Sequence, residues 1–204
     1  MKINYITIER EYGSGGTEFA RRVAEEIGIP CYGREILDEV AEKNDISVSE
    51  IERYEETVTN SFLYSVYVMA KAASGNTDML STEGHLFLAE QAAIKEFAAK
   101  GSCIFLGHCA SEALKDKKDA VHVFIRSSNE NEKKKRIISD YGISESDADR
   151  IRKKYDKKRS NYYYANTMHK WDDFKNYDIV PDSAVLRTDG CVAVLKSLMS
   201  QVSE

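Results

Sequence analysis

The strongest constraint on the fold is a glycine-rich turn that joins an apolar strand to an amphipathic helix within residues 6–20. Three glycines in four residues, Gly13, Gly15 and Gly16, allow a tight turn that directs several N–H groups at one point. The N-terminus of the following helix adds unpaired N–H groups and partial positive charge. The segment predicts a phosphate-binding loop; the alternative is a turn that only connects strand and helix.

This turn departs from the P-loop signature G-x-x-x-x-G-K-[ST] at two positions. Arg10 stands where the first glycine is expected and Gly16 where the lysine is expected, whereas Thr17 keeps the hydroxyl position that meets Mg²⁺. The predicted phosphate-binding residues are Gly13, Ser14, Gly15, Gly16 and Thr17. Arg10 either replaces the lysine in part or is a solvated side chain. Glu18 occupies the third glycine position of a dinucleotide fingerprint, which argues against a nicotinamide or flavin enzyme.

Composition sets the broad class. The 204 residues are 42% hydrophobic and 31% charged, which suits one sizeable α/β domain. The net charge of -5 argues against a general nucleic-acid binder, and no apolar run has membrane-helix length, so neither nucleic acid nor a membrane is an expected partner. We see no signal peptide, and none of the four cysteines forms C-x-x-C. We therefore expect buried, reduced cysteines in a cytoplasmic protein.

Apolar runs and helical periodicities alternate along the chain, which predicts a parallel sheet with helices on both faces. The predicted strands are residues 3–8, 29–32, 103–106, 120–125 and 177–180. The predicted helices are the one ending at Gly28, those at 34–41, 62–73, 83–99, 130–141 and 148–159, one beginning at the capping box 47–50, and a C-terminal helix that buries Val192, Leu195, Met199 and Val202. Residues 74–78 break the aromatic helix at 62–73.

The segment 150–159 holds seven basic residues and one acid. Arg152, Asp156 and Arg159 fall at i, i+4 and i+7, which places them on one helix face. Such a charge run is either a solvated face or a set of movable arginines that closes over a triphosphate. The lysines on the other faces, predicted to point to solvent, are Lys153, Lys154, Lys157 and Lys158.

Several segments together resemble the cytidylate kinase-like proteins. The matching segments are residues 6–16, 24–32, 34–37, 105–110 and 155–163, followed by Trp171. This resemblance implies an α/β P-loop NTPase of the nucleoside monophosphate kinase-like type, with three layers, a parallel five-stranded sheet and a helical lid. It also implies a single domain over 1–204, with an acceptor-binding helical insert at about 33–80 and the lid at about 150–171.

The resemblance also implies roles for individual residues. The candidate catalytic residues are Arg10, Arg152 and Arg159, and the candidate acceptor-binding residues are Arg34, Asp156 and His108. Two positions depart from the family pattern on the acceptor side. Gly33 replaces an aspartate after the second strand, and Gly107-His108-Cys109 replaces a Gly-Arg-Asp motif. His108 either hydrogen-bonds a phosphate or is structural.

The functional hypothesis is an ATP-dependent kinase that uses Mg²⁺, held by Thr17, and acts on a small acceptor such as the nucleoside monophosphate CMP. Two alternatives stay open: a nucleotide-binding protein with little or no kinase activity, and a kinase for a non-nucleotide small molecule. The aromatic residues at 62–67 line the acceptor pocket, form a homodimer contact or pack in the core.

Overall fold

The computed structural model describes residues 3–57 and 82–199, apart from the side chains of 54–57 and 83. The strands are β1 (Tyr5–Arg10), β2 (Cys31–Tyr32), β3 (Cys103–Leu106) and β4 (Ala120–Ile125). The helices are α1 (Gly16–Ile27), α2 (Arg34–Asn44), α3 (Val48–Thr57), α4 (Thr82–Ala99), α5 (Ala110–Ala113), α6 (Glu130–Tyr141), α7 (Glu145–Thr167) and α8 (Ser183–Met199). The predicted helix at 62–73, its break at 74–78 and Val202 lie outside the described residues.

The four strands form one parallel sheet in the order β2-β3-β1-β4. Because side chains alternate along a strand, Ile6 and Ile8 of β1 face α1 and α8, whereas Tyr5 packs on the opposite side with α2 and α4. Both faces are covered, which explains why the strands read as nearly continuous apolar runs. The carboxyl ends of the strands lie at the edge where the glycine-rich turn begins.

The segment predicted as a fifth strand, residues 177–180, does not form a continuous ladder. It runs parallel to β4 through the two isolated bridges Val123–Ile179 and Arg126–Asp182. The Arg126 N–H donates to the Pro181 carbonyl at 3.1 Å, and the Ser183 N–H donates to the Arg126 carbonyl at 2.9 Å. Between the two bridges, Pro181 has no N–H to donate to the Phe124 carbonyl, which interrupts the ladder. The sheet of the described residues therefore has four strands. The predicted count of five was wrong, because residues 177–180 lie along β4 without forming a strand of the sheet.

The helix limits follow local capping chemistry. Gly28 ends α1 in a left-handed conformation with φ 72°, as predicted. The capping box before α3 is confirmed, because the Ser47 N–H donates to Glu50 and the Glu50 N–H donates to the Ser47 hydroxyl. Among the described helices, none combines the length and the apolar character needed to cross a membrane.

Helix α7 is longer than the predicted 148–159, and its C-terminal part is buried. Its C-terminal part and the chain that follows bury Tyr163 and Trp171 in an aromatic cluster with Phe124 and Tyr177. The Trp171 indole N–H donates to Glu9 of β1 at 3.0 Å. The helix is therefore anchored at its C-terminal end to the sheet, and only its N-terminal part lies over the glycine-rich turn.

The four cysteines are free thiols. Cys103, Cys109 and Cys191 are buried, as expected, whereas Cys31 is partly exposed. Burial raises the pKa of Cys31 to about 11 and that of Cys103 to about 12. Both thiols therefore stay protonated at neutral pH, which makes them poor nucleophiles.

His122 of β4 gives the fold a defined response to acid. Its Nδ1 lies 2.8 Å from the Thr7 hydroxyl, and burial lowers the pKa of His122 below the ordinary 6.5. The unfolded chain binds a proton at His122 more readily than the folded protein does. The contribution of His122 to the free energy of unfolding is therefore fully present above about pH 6.5 and is lost as the pH falls through the lower pKa of the folded state.

We expect His122→Asn to remove this part of the acid dependence. Urea unfolding between about pH 8 and pH 5 measures it as a shallower loss of stability than in the wild type. His169→Asn, at an exposed histidine, is the control and keeps the wild-type slope. An unchanged slope in His122→Asn contradicts the assignment.

Candidate active site

The turn after β1 is built by two left-handed glycines and one buried serine. Gly13 has φ 83° and Gly15 has φ 85°, a conformation that costs other residues free energy. The Ser14 hydroxyl donates to the Glu11 carbonyl at 2.8 Å, which closes the turn from inside. The turn thus leads directly into the N-terminus of α1, as the sequence predicted.

Close packing also requires these glycines. A Cβ at Gly13 would lie 2.8 Å from the Lys133 carbonyl oxygen of α6. A Cβ at Gly15 would lie 2.5 Å from the Phe19 ring. The turn is therefore held between α1 and α6 with no room for side chains at these positions.

The two departures from the P-loop signature are one structural feature. A Cβ at Gly16 would lie 2.8 Å from the Cβ of Arg10 and 3.3 Å from that of Ile125. The side chain of Arg10 therefore passes through space that a residue-16 side chain would need. A lysine at position 16 and an arginine at position 10 exclude one another in this backbone.

The Arg10 guanidinium reaches from the turn to the neighbouring strand end. One of its terminal nitrogens lies 2.7 Å from where a Cβ of Gly107 would be, directly after β3. Burial and the nearby Arg159 lower the pKa of Arg10 to about 10, so the side chain stays cationic at neutral pH. Within residues 3–57 and 82–199, Arg10 Nε and Arg152 Nε are buried donors without a hydrogen-bond partner.

Helix α7 docks on the turn through the face that the i, i+4, i+7 spacing predicted. The Tyr12 N–H donates to Asp156 at 2.7 Å, and an Arg159 terminal nitrogen donates to the Arg10 carbonyl at 2.8 Å. Burial raises the pKa of Asp156 above its ordinary value, against the opposing effects of the Tyr12 N–H and Arg159. These bonds join α7 directly to the turn.

Arg152 belongs to an ionic chain that sequence analysis did not predict. It lies 2.9 Å from Glu130, which also contacts the buried Lys133 at 2.6 Å. Lys133 in turn lies 3.2 Å from Glu11 in the turn. In the sequence, Lys133 is one of four consecutive basic residues at 133–136, and its only signal is its i, i+4 spacing from Ile137 in the predicted helix 130–141.

Three tyrosines stack where α6 and α7 meet the turn. The Tyr12 ring lies between those of Tyr155 and Tyr141, with centroid separations of 4.7 Å and 4.9 Å. Burial, followed by the nearby Tyr141, raises the pKa of Tyr12 to about 12. The stack adds apolar contact to the polar docking of α7.

A cleft of about 450 Å³ opens between the strand ends, α2 and α7. Its cationic lining comprises Arg10, Arg34, Lys158 and Arg159, and its acids include Glu9 and Glu52. Arg34 lies at the rim, exposed and 3.4 Å from Glu52. Lys158 was predicted to face solvent with the other lysines, but it is half-buried in the cleft wall because α7 turns this side toward the strand ends.

The predicted site residues therefore divide into two groups. Arg10, Arg34, His108 and Arg159 line the cleft. Asp156 lies instead against the Tyr12 amide, and Arg152 lies between Glu130 and Asp156. Thr17 is in the first turn of α1, directly after Gly16.

His108 occupies a strained turn in the cleft wall. Gly107, His108 and Cys109 are three consecutive residues with φ of 74°, 56° and 50°, which is unfavourable for the two that carry side chains. His108 Nδ1 lies 3.0 Å from the carboxylate of Glu90 on α4, and the Tyr162 hydroxyl donates to the same oxygen at 2.7 Å. Glu90, 1% exposed, was missed because nothing in the sequence links α4 to this turn.

The residues present fit a polyphosphate with its metal ion. The unpartnered Nε–H groups of Arg10 and Arg152 suit anionic oxygens, and the glycine turn leads into a helix N-terminus. Thr17 supplies a hydroxyl at the position that meets Mg²⁺ in the P-loop signature. Fold and site together define a P-loop kinase-type α/β protein with an altered loop.

Comparison with known proteins identifies the family. The sequence model described as the cytidylate kinase-like family matches residues 5–184. The chain belongs to the cytidylate kinase-like family. A search of curated proteins gave no significant match.

Solved structures agree on the fold. A crystal structure of an uncharacterized protein from Eubacterium ventriosum is 26% identical, with a TM-score of 0.71, and the match covers 98% of this chain and 99% of that one. Shikimate kinase from Bacteroides thetaiotaomicron is 12% identical, with a TM-score of 0.52, and the match covers 96% and 98% of the two chains. The second likeness establishes the fold alone.

The close contact between Arg10 and Gly16 predicts that replacing Gly16 by alanine destabilises the protein, whereas this replacement in a helix usually stabilises it. Glycine to alanine inside a helix is normally stabilising by about 0.5–1 kcal/mol. Here we expect Gly16→Ala to destabilise by about 1–3 kcal/mol, because the new methyl group overlaps Arg10.

A double-mutant cycle isolates this contact. In an Arg10→Gly background, the cost of Gly16→Ala should fall by about 1 kcal/mol or more when urea unfolding is measured for all four proteins. Additive effects of the two substitutions would show that the side chains do not compete for this space.

Proposed function

We propose that this chain is an ATP-dependent kinase that transfers a phosphoryl group to a small acceptor held in the cleft. The observation that carries the proposal is the convergence of Arg10 and Arg159 beside the glycine turn, with Arg10 Nε a buried donor that lacks a partner. Burial and Arg159 lower the pKa of Arg10 although Glu9 acts in the opposite direction, so a further anion beside the two guanidinium groups would stabilise their charges. A triphosphate is such an anion.

Each part of the site has a role in this proposal. The residues of the turn, from Gly13 to Thr17, bind donor phosphates through backbone N–H groups. Arg10 takes the place of the missing lysine and contacts the transferring group from the β1 side. Arg159 contacts it from α7. The Thr17 hydroxyl would hold Mg²⁺, which would supply neutralisation of the phosphate charge.

The part of α7 that lies over the glycine-rich turn, from Glu145 to Arg159, is the moving part in this proposal. It corresponds to the first part of the proposed lid at 150–171, and Arg152 and Arg159 travel with it. The bonds from Asp156 to the Tyr12 amide and from Arg159 to the Arg10 carbonyl hold it on the turn. Closure by these contacts would position the reactants and exclude water, which carries most of the catalysis in phosphoryl transfer.

The acceptor is a small molecule with an anionic group. Lys158 on the cleft wall, with Arg34 at the rim beside Glu52, supplies positive charge that would favour an anionic group on the acceptor. A nucleoside monophosphate such as CMP meets this requirement, as the family name suggests. Shikimate also meets it and is a useful probe, because one solved structure with this fold is a shikimate kinase.

Arginine substitutions test the proposed kinase. We expect Arg10→Ala and Arg159→Ala each to lower the rate of phosphoryl transfer from MgATP by about 100-fold or more, because each removes charge stabilisation from the transition state. Arg10→Lys should retain part of the activity. Calorimetric titration with MgATP and product analysis with a panel of acceptors are the measurements.

Lys157→Ala is the matched control, since Lys157 is an exposed cation on the same helix. It should leave both binding and transfer unchanged. MgATP binding without transfer to any acceptor, unaffected by Arg159→Ala, would instead support the nucleotide-binding alternative. Absence of MgATP binding would overturn both.

A further inference from the structure

The acceptor side of the cleft contains a carboxylate–imidazole pair that transfer to a phosphate acceptor does not require. His108 Nδ1 lies 3.0 Å from Glu90 Oε2, and the His108 side chain is 15% exposed whereas that of Glu90 is 1% exposed. An acceptor phosphate is already a nucleophile. An acceptor hydroxyl group must lose a proton, so a base beside it accelerates transfer.

Two side chains meet the buried carboxyl group of Glu90 at one oxygen. Its Oε2 accepts a hydrogen bond from the Tyr162 hydroxyl at 2.7 Å and lies beside His108 Nδ1. A carboxylate on Nδ1 holds the proton at that nitrogen, so Nε2 is the basic nitrogen of the neutral ring. This is the arrangement by which a carboxylate orients a histidine base.

The backbone of His108 is also held in place. The Gln91 side-chain amide donates to the His108 carbonyl at 3.0 Å, and the turn holds three successive left-handed residues. Strain of this kind persists only where surrounding contacts determine it, and it concentrates at functional sites. The imidazole is thereby presented at the wall of the cleft.

The position of His108 relative to Arg10 suits group transfer. Arg10 reaches the residue immediately before His108, with a terminal nitrogen 2.7 Å from the place of a Gly107 Cβ. A phosphoryl group bound by Arg10 and an acceptor beside His108 would share the same cleft. Arg34 and Lys158 add positive charge to the same cleft.

We propose that His108, oriented by Glu90, is the general base for an alcohol acceptor that carries an anionic group. This inference rests on the proposed kinase function, which supplies ATP as donor. The acceptor O–H proton passes to His108 Nε2 while the oxygen forms a bond to the γ-phosphorus. The bond between that phosphorus and the β,γ-bridging oxygen breaks, its electron pair leaves with ADP, and the imidazolium then releases the proton to water.

Phosphorus NMR separates an alcohol acceptor from a phosphate acceptor. MgATP is incubated with D-glycerate, shikimate, cytidine or CMP, and also with no acceptor so that water takes the hydroxyl position. The expected product is a phosphomonoester of an anionic alcohol, or inorganic phosphate from water alone. Formation of a phosphoanhydride from CMP alone, at a rate unchanged by His108→Asn, would support the proposed kinase function. It would contradict the proposal that the acceptor is an alcohol.

Variants then test the base. We expect His108→Asn to lower kcat for the alcohol or for water by about 100-fold or more with little change in KM. Glu90→Gln should move the acidic limb of the pH–rate profile to lower pH, because the ionised carboxylate favours the imidazolium. His85→Asn, an exposed histidine on the same helix as Glu90, is the control. A purely structural Glu90 would change folding without moving this limb.

A readout without any acceptor completes the test. Long-range ¹H–¹⁵N correlation spectra of the histidine rings should show His108 protonated at Nδ1 in the wild type, and a changed tautomer balance in Glu90→Gln. Protonation at Nε2 in the wild type overturns the proposal even if the chain is a kinase. Absence of MgATP binding and of transfer to every probe, water included, overturns the proposed kinase function and this inference with it.

Discussion

The packing of Arg10 against Gly16 determines how the rest of the site is arranged. Arg10 leaves the end of β1, passes through the space above Gly16 and places its guanidinium beside Gly107 at the end of β3. A side chain at position 16 would block this path, so the lost lysine and the gained arginine form one coupled change. In the proposed function, the positive charge that a P-loop normally brings from its helix comes from Arg10 at the end of β1, and its guanidinium lies beside Gly107 after β3.

Helix α7 docks tightly on the same turn. Arg159 donates to the carbonyl of Arg10, while Asp156 accepts the N–H of Tyr12, so the same helix contacts the backbone on both sides of Glu11. Glu11 is itself bound to the buried Lys133 of α6. The turn is thus fixed by two helices in addition to its own glycines. Trp171, in the chain that follows α7, donates to Glu9 and so ties this end of the helix to β1.

Sequence analysis predicted the elements that depend on local pattern. Strands β3 and β4, the end of α1 at Gly28 and the capping box before α3 follow from apolar runs and capping residues, and these were right. The fifth strand failed because Pro181 removes a donor from the ladder. Glu90 and Lys133 could not be predicted as site residues, since their roles depend on which helices meet the turns after β1 and β3. The steric conflict between the Arg10 side chain and any side chain at position 16 likewise depends on the folded backbone. In the sequence motif it is visible only as two separate mismatches.

The central claim is that Arg10 is the phosphate-binding cation of the altered loop. The most direct test is the ¹⁵N–¹H resonance of Arg10 Nε, assigned by comparison with Arg10→Lys and followed during titration with Mg²⁺ and a non-hydrolysable ATP analogue. The account predicts that this resonance shifts strongly and that its exchange with water slows, because a buried donor gains an anionic partner. Saturating shifts in the amides of the glycine turn, with the Arg10 resonance unchanged, would contradict it.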